Sequence, residues 1–151
     1  RDHVTTATLA LDADGRFLAI EVDTKAAMGA YLSSTGSLIP TYMYATMLSG
    51  QYDIPAIHNS IRAYYTNSCP VDAYRGAGRP EAAYVVERIV SLAARKLGLD
   101  QAEIRRRNFI SSFPHQTPVI WEYDSGDYAA GLDQALALAD YAGFPARRAE
   151  A

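Results

Sequence analysis

A chain of 151 residues, 49% hydrophobic and 21% charged, can bury one core and is predicted to form a single globular domain. The formal net charge of −3 argues against general nucleic-acid binding, and no apolar run approaches the roughly 18 residues of a membrane span. A single cysteine excludes an intramolecular disulfide and favours a cytoplasmic setting. The start at Arg1 and the polar end indicate a piece of a larger protein.

The first predicted element is a β-hairpin. Val4 to Leu11 has a strand-like composition, Gly15 suits a tight turn, and Phe17 to Thr24 alternates as a return strand. The alternation predicts one face formed by Leu18, Ile20 and Val22, and the other by Phe17, Ala19, Glu21 and Asp23.

The next segments are less regular. Met28 to Ser37 is rich in glycine and serine and is predicted to be a loop. Ile39 to Leu48 fits a short helix started by Pro40, although its spaced tyrosines leave a strand open. Ile57 to Thr66 is predicted to be a strand that leads directly into a glycine-containing segment.

The clearest helix is predicted from Glu81 to Leu97. Pro80 suits its first turn, and Gly98 suits a left-handed cap at its end. Its apolar stripe consists of Ala82, Val85, Val86, Ile89, Val90, Ala93 and Leu97.

Two further helices are predicted after it. Asp100 and Glu103 have capping-box spacing, so a second helix follows and ends near Asn108. Phe109 to Asp127 is predicted to be a loop or short strand pair. The third helix runs from Tyr128 to Ala142, with Asp127 as its N-cap and Gly143 as its stop. The predicted fold class is therefore α+β, with a hairpin, a strand, a loop and amphipathic helices.

The segment DAYRGAGRPE at residues 72–81 has the strongest functional pattern. It places Gly76 and Gly78, two arginines (Arg75 and Arg79) and a proline where the long helix begins. Unpaired amides, a helix N-terminus and guanidinium groups together suit an anionic ligand. The spacing alone leaves an alternative open, in which the glycines permit a tight crossing and the arginines pair with carboxylates such as Asp72 or Glu81.

Longer motifs around this segment resemble a known family. The stretches are TNSCPVDAYRGAGRPEA (66–82), LGLD (97–100), IRRRNFI (104–110), FPHQTP (113–118), YDSGDY (123–128) and the opening RDHV (1–4). They resemble the molybdopterin-binding large subunit of molybdenum hydroxylases, the xanthine dehydrogenase and aldehyde oxidase family. The similarity is greatest to the bacterial branch that contains the carbon monoxide dehydrogenase large chain. Residues 1–151 are thus expected to form a partial molybdopterin-binding domain of a larger subunit.

The resemblance implies a molybdenum–molybdopterin cofactor, usually the cytosine dinucleotide form in bacteria. Arg75 takes the position of the arginine that lies against this cofactor, with Tyr74 wedging the loop from behind. Gly76, Ala77 and Gly78 would let the backbone pass close to the metal's ligands. Gly76 stands where carbon monoxide dehydrogenase has a copper-bearing cysteine, and Ala77 where xanthine-oxidising members have an aromatic residue. These departures argue against a copper centre and against a purine substrate.

The implied reaction is hydroxylation of an aldehyde or N-heterocycle with water as the oxygen source. Electrons would leave through 2Fe-2S clusters and FAD on other domains or subunits, so an iron–sulfur subunit and an FAD subunit are expected partners. The family's catalytic glutamate and its glycine-rich loop have no counterpart in this chain, which is expected to be inactive alone. Two alternatives remain open: a non-catalytic fragment that acts as an interaction module, and a generic phosphate-binding module.

The other candidate residues are predicted to have structural roles. Cys69 is predicted to be a small buried apolar residue, and the widely spaced His58 and His115 to be structural. Gln116 is predicted to pack or to hydrogen-bond the backbone rather than face the cofactor. The basic cluster at residues 105–107 is predicted to be a solvated helix end.

Overall fold

A computed structural model describes residues 2–151, and Arg1 of the RDHV motif lies outside them. The fold class is α+β, as predicted. The strands are β1 (His3–Leu11), β2 (Phe17–Ala27), β3 (Ala56–Tyr64), β4 (His115–Gln116) and β5 (Glu122–Tyr123). The helices are α1 (Arg79–Leu97), α2 (Gln101–Asn108), α3 (Tyr128–Leu138) and α4 (Phe144–Glu150), with a π-helical turn at Ile39–Met43 and a 3₁₀ turn at Tyr141–Gly143.

The predicted hairpin is confirmed and belongs to a three-stranded sheet in the order β1-β2-β3. β1 pairs antiparallel with β2, and β3 pairs parallel with it. The predicted grouping of Leu18 with Ile20 and Val22 on one face is wrong: Phe17 is buried with them at 3% exposure, and Leu18 is 48% exposed. Leu11 pairs with Phe17 and Ala10 with Ala19, so Leu18 is the extra residue of a bulge that changes the alternation.

The core lies between this sheet and α1, whose predicted apolar stripe is mostly buried. Leu97 is the exception at 44% exposure, and Ala94 is fully buried in its place. Leu97 lies beside the hairpin turn at the rim of the core, since a Cβ added at Gly15 would be 3.6 Å from Leu97 Cδ1. Of the two options for residues 39–48, the helical one is confirmed, with Pro40 in the first turn.

The predicted cap at Gly98 and the predicted N-cap at Asp100 are present, but within residues 2–151 the Glu103 carboxylate does not complete the predicted capping box. Gly98 ends α1 with a φ of 66°, and the Asp100 carboxylate accepts from the amides of Ala102 and Glu103 at 2.8 and 3.0 Å. The Glu103 carboxylate accepts from Arg107 Nε at 2.8 Å, an ion pair one turn along α2.

Residues 105–107 lie in the last turn of α2, so the predicted helix end is confirmed, but it is not a freely solvated basic end. Arg105 has a side chain only 16% exposed, and its guanidinium lies 2.7 Å from the Glu87 carboxylate. Arg106 pairs with Asp133 of α3, and Arg107 pairs with Glu103. The cluster therefore ties α2 to its neighbours rather than presenting a free cationic surface.

The third helix ends four residues before its predicted end at Ala142. Its last residue is Leu138, and Asp140 then adopts a φ of 45°, a left-handed conformation that stops a helix. The Asp140 carboxylate accepts from the Gly143 amide and pairs with Arg147. The chain then resumes as α4, a helix that the polar composition of this segment did not predict. None of the helices described within residues 2–151 combines the length and the hydrophobicity of a transmembrane segment.

A buried tyrosine gives the fold a specific pH dependence. Tyr52 is 1% exposed and donates to Glu87 Oε1 at 2.7 Å, while Arg105 Nε donates to Glu87 Oε2 at 2.9 Å. Burial, followed by the hydrogen bond to Glu87, raises the pKa of Tyr52 well above its ordinary value. The folded protein therefore keeps the Tyr52 proton at a pH at which the unfolded chain releases it.

Stability should accordingly fall above pH 10, because ionisation of Tyr52 then favours the unfolded chain. We expect the free energy of unfolding to decline by about 1.4 kcal/mol more per pH unit in the wild type than in Tyr52→Phe. Urea titrations of both proteins from pH 8 to 11 measure the difference. Tyr128 and Tyr141, whose pKa values are also raised, are present in both proteins and cancel. If the free energy of unfolding fell equally steeply with pH in the two proteins, this account would be contradicted.

Candidate functional site

The glycine-containing loop has an unusual backbone. Gly76, Ala77 and Gly78 have φ angles of 106°, 40° and 95°, and the run of positive values turns the chain sharply into α1. The Ala77 amide donates to Tyr74 O and the Arg79 amide to Gly76 O, both at 2.9 Å. The predicted direct passage from strand to loop is wrong, because β3 ends at Tyr64 and irregular chain fills residues 65–78.

One side of the loop lies directly against the π-helical turn. A Cβ at Gly78 would lie 2.6 Å from the Tyr44 amide nitrogen and 2.8 Å from the Met43 carbonyl carbon. Real Cβ atoms do not approach backbone so closely, so only glycine fits. Gly78 thus fixes the distance between the loop and the core.

A second support comes from the predicted loop at residues 28–37, which lies along residues 66–72. The Val71 amide donates to Met28 O at 3.2 Å, and the Ser33 hydroxyl donates to Val71 O at 3.0 Å. Thr35 Oγ1 donates to Asp72 Oδ1 at 2.9 Å. These contacts position the chain immediately before Arg75. This supporting role was not predicted, because no local pattern in residues 28–37 indicates it.

The loop carries one carboxylate that is held in its ionised form and two exposed arginines. Asp72 accepts from its neighbouring Ala73 amide at 2.7 Å, and this bond, followed by that from Thr35, lowers the pKa of the carboxyl. Arg75 and Arg79 are both exposed, and neither makes a hydrogen bond or ion pair within residues 2–151. The alternative in which these arginines pair with nearby carboxylates is therefore not the one adopted.

Arg75 lines an open groove of about 630 Å³ where the loop meets α1 and β1. The other lining residues are His3, Thr5, Tyr74, Pro80, Glu81, Tyr84 and Val85. Gly78 caps the N-terminus of α1 without a side-chain hydrogen bond, so the positive end of the helix dipole lies beside the groove. A free guanidinium, a helix N-terminus and aromatic walls suit a planar ligand with anionic groups.

Tyr74 differs from its predicted position. Its side chain is 80% exposed and forms part of the groove wall, rather than wedging the loop from behind. The Tyr74 carbonyl closes the turn instead, by accepting from Ala77. A larger cavity, of about 720 Å³, lies elsewhere between the hairpin turn, α2 and the start of α3, and includes none of residues 74–78.

The remaining candidates lie away from the groove. Cys69 is a free thiol on the surface, which corrects the prediction that it is buried. His115 Nε2 lies 3.9 Å from Asp53 Oδ1, and His58 is exposed on β3. The Gln116 amide donates to Thr117 O at 3.0 Å, so backbone hydrogen bonding is confirmed. Across residues 2–151, no three His, Cys, Asp or Glu side chains group closely enough to hold a metal ion.

A family model described as the molybdopterin cofactor-binding domain matches residues 1–109. The chain belongs to this family. It is 42% identical, over 99% of its length, to the carbon monoxide dehydrogenase large chain of Hydrogenophaga pseudoflava. It is 35% identical, over 93% of its length, to the 6-hydroxypseudooxynicotine dehydrogenase complex subunit gamma of Paenarthrobacter nicotinovorans. The chain covers 19% and 18% of these two relatives, respectively.

Solved structures agree with this membership. Quinoline 2-oxidoreductase from Pseudomonas putida 86 matches with a TM-score of 0.92 and 32% identity, over 99% of this chain and 20% of its own. The resemblance to molybdenum hydroxylase large subunits, and to the branch with the carbon monoxide dehydrogenase large chain, is therefore confirmed. This molybdopterin-binding family member spans about a fifth of the length of its curated relatives.

Proposed function

We propose that residues 1–151 form part of a molybdopterin-binding domain within a larger molybdenum hydroxylase subunit. The complete assembly would catalyse oxidative hydroxylation of an aldehyde or N-heterocycle with water as the oxygen source. The names of two similar proteins, a quinoline 2-oxidoreductase and a 6-hydroxypseudooxynicotine dehydrogenase subunit, support this class of substrate. The observation that carries the proposal is the free, exposed Arg75 side chain at the groove beside the N-terminus of α1.

The residues of the loop suit a molybdopterin cofactor. Arg75 would donate hydrogen bonds to its anionic groups, since a guanidinium stays charged and presents several donors. Tyr74 supplies an aromatic wall, and the left-handed turn at Gly76, Ala77 and Gly78 carries little side-chain bulk. When bound, the cofactor supplies the redox chemistry of the reaction. The role of this chain is to hold and orient it.

The small residues after Arg75 limit which metal centre and which substrates we propose. Gly76 has no thiol, so the loop offers no copper ligand at this position. Ala77 offers no aromatic face on which a purine would stack. These two residues favour aldehydes and N-heterocycles other than purines, without a copper centre.

The remaining parts of the proposal concern the whole assembly. We infer the cytosine dinucleotide form of the cofactor, with 2Fe-2S and FAD on other subunits, in the cytoplasm. The name of one relative, a dehydrogenase complex subunit, supports a multi-subunit enzyme. The catalytic glutamate would come from the remaining molybdopterin-binding parts, so the isolated chain should be inactive. Turnover of an aldehyde by this chain alone, with an artificial electron acceptor, would contradict that expectation.

Arg75→Met tests the cofactor role directly. In the chain purified with its natural neighbours, we expect the molybdenum content and the pterin fluorescence to fall about tenfold, the loss of one charge-assisted interaction. The free energy of unfolding should not change, because Arg75 is exposed and unpaired in the described structure.

Arg95→Met is the matched control, since Arg95 is equally exposed in the last turn of α1. It should leave the molybdenum content unchanged. Normal molybdenum in Arg75→Met would contradict the proposal. Affinity for inorganic phosphate that persists in Arg75→Met would favour the generic phosphate-binding alternative.

A further inference from the structure

β1 is an edge strand with an accessible row of backbone groups. The sheet order is β1-β2-β3, so among the described strands β1 pairs only with β2. The Ala27 amide donates to Asp2 O at 3.0 Å, and the antiparallel register then continues along both strands. Because hydrogen bonds alternate along an antiparallel strand, even-numbered residues of β1 bond to β2. Thr5, Ala7 and Leu9 therefore direct their amides and carbonyls toward the open edge.

The flank of α1 above this edge is exposed and mostly apolar, with Arg88 as its one charged residue among those that line the groove. A second groove, of about 200 Å³, lies between Thr5 and Ala7 of β1 and a row along α1 that includes Tyr84, Arg88 and Leu92. These three helical residues are four apart and lie on one side of α1. Tyr84 is 71% exposed and Leu92 is 46% exposed. The helix thus extends beyond the last strand of the sheet beneath it.

The two features together match one kind of occupant. An extended polypeptide strand supplies the donors and acceptors that an edge strand needs, at a spacing of about 4.8 Å, and its alternate side chains would lie under α1. A small molecule would fill the groove without pairing three successive outward-facing residues. Long, regular open edges are normally covered in native proteins.

We propose that β1 accepts a further strand from the polypeptide of the complete large subunit outside residues 1–151. This rests on the proposed function, which places the chain in a subunit about five times as long; the chain covers 19% of one relative. The second groove shares Thr5, Tyr84 and Val85 with the groove beside Arg75. The added strand would therefore also close one wall of the cofactor groove.

Hydrogen exchange resolved to single amides tests the pairing. It compares the chain alone, at two concentrations, with the chain bound to the rest of its large subunit, the polypeptide outside residues 1–151. We expect the amides of Thr5, Ala7 and Leu9 to exchange about 100-fold more slowly in the complex, while Thr6 and Thr8 are protected in both states. Unchanged exchange at the three outward amides, or no complex at all, would overturn the proposal. Protection that rises with the concentration of the chain alone would instead indicate a second copy as the occupant.

A pair of matched variants tests the helix flank. Leu92→Arg should weaken association with the large-subunit polypeptide about tenfold, because the apolar contact of one leucine is lost. Leu138→Arg, at a leucine 90% exposed on α3, is the control and should have no effect. Equal effects of the two variants would overturn the docking surface. The molybdenum content of Arg75→Met reports separately on the cofactor site, so failure of one proposal is distinguishable from failure of the other.

Discussion

Replacing Gly78 by alanine should lower the free energy of unfolding by about 3 to 5 kcal/mol, from backbone strain and overpacking together. The φ of Gly78 is 95°, where a side chain is strained in any surroundings. Its new Cβ would also lie 2.6 Å from the Tyr44 nitrogen and 2.9 Å from the Ile39 oxygen. Both atoms are backbone atoms of fully buried residues, because Ile39 is 1% exposed and Tyr44 is 0% exposed, so the backbone cannot shift without disturbing the core. Urea unfolding of the purified variant measures the loss.

Gly98→Ala separates the two causes. Gly98 also has a positive φ, 66°, but a Cβ there would meet no atom within 4 Å. Replacing Gly98 should therefore lower the free energy of unfolding by about 1 kcal/mol, the cost of holding an alanine at a positive φ. If the two variants were equally stable, the close contact between the loop and the core would not exist as described. Gly78→Ala should also move Arg75, and so reduce the cofactor content of the assembly.

Replacing Asn108 by leucine should destabilise the protein by about 3 kcal/mol, because three buried hydrogen bonds lose one partner each. Asn108 is 3% exposed, and its Oδ1 accepts from the Phe17 amide at 2.7 Å. Its Nδ2 donates to Gly15 O at 2.9 Å and to Ile104 O at 2.8 Å. One side chain thus connects the hairpin turn to the end of α2. Urea or thermal unfolding measures the change.

Two comparison variants define the source of this loss. Asn108→Asp retains the acceptor for the Phe17 amide and removes the donor to the two carbonyls, so it should also destabilise the fold. Asn67→Ala, at an exposed position, should change stability by less than about 0.5 kcal/mol. An Asn108→Leu protein as stable as the wild type would show that these hydrogen bonds contribute nothing net.

Local sequence patterns correctly predicted the helices and strands that neighbouring residues determine. The hairpin, α1 and α2 were found from alternation, helical spacing and capping residues such as Pro80, Gly98 and Asp100. Two of the errors have different causes. The exposure of Leu18 depends on pairing across the sheet, which no local pattern encodes. The early end of α3 has a local cause that helical spacing did not reveal: Asp140 adopts a left-handed conformation and contacts Gly143 and Arg147.

In the candidate site, too, local features were predicted from the sequence and contacts between distant segments were not. The motif around Arg75 predicted a loop of glycines before a helix, and the positive φ angles of Gly76 and Gly78 agree with it. The support from residues 28–37 and the exposure of Tyr74 depend on contacts between distant segments. The ion pairs of Arg105 and Arg106 likewise depend on partners in other helices, which the order of residues does not reveal.

Anomalous diffraction at the molybdenum absorption edge, from crystals of the assembled enzyme, tests the central claim most directly. It would locate the metal and, in the same map, the side chain of residue 75. Our account predicts the Arg75 guanidinium within hydrogen-bond distance of the pterin or of the metal's oxygen ligands. A guanidinium turned away and bonded to a carboxylate elsewhere would contradict it.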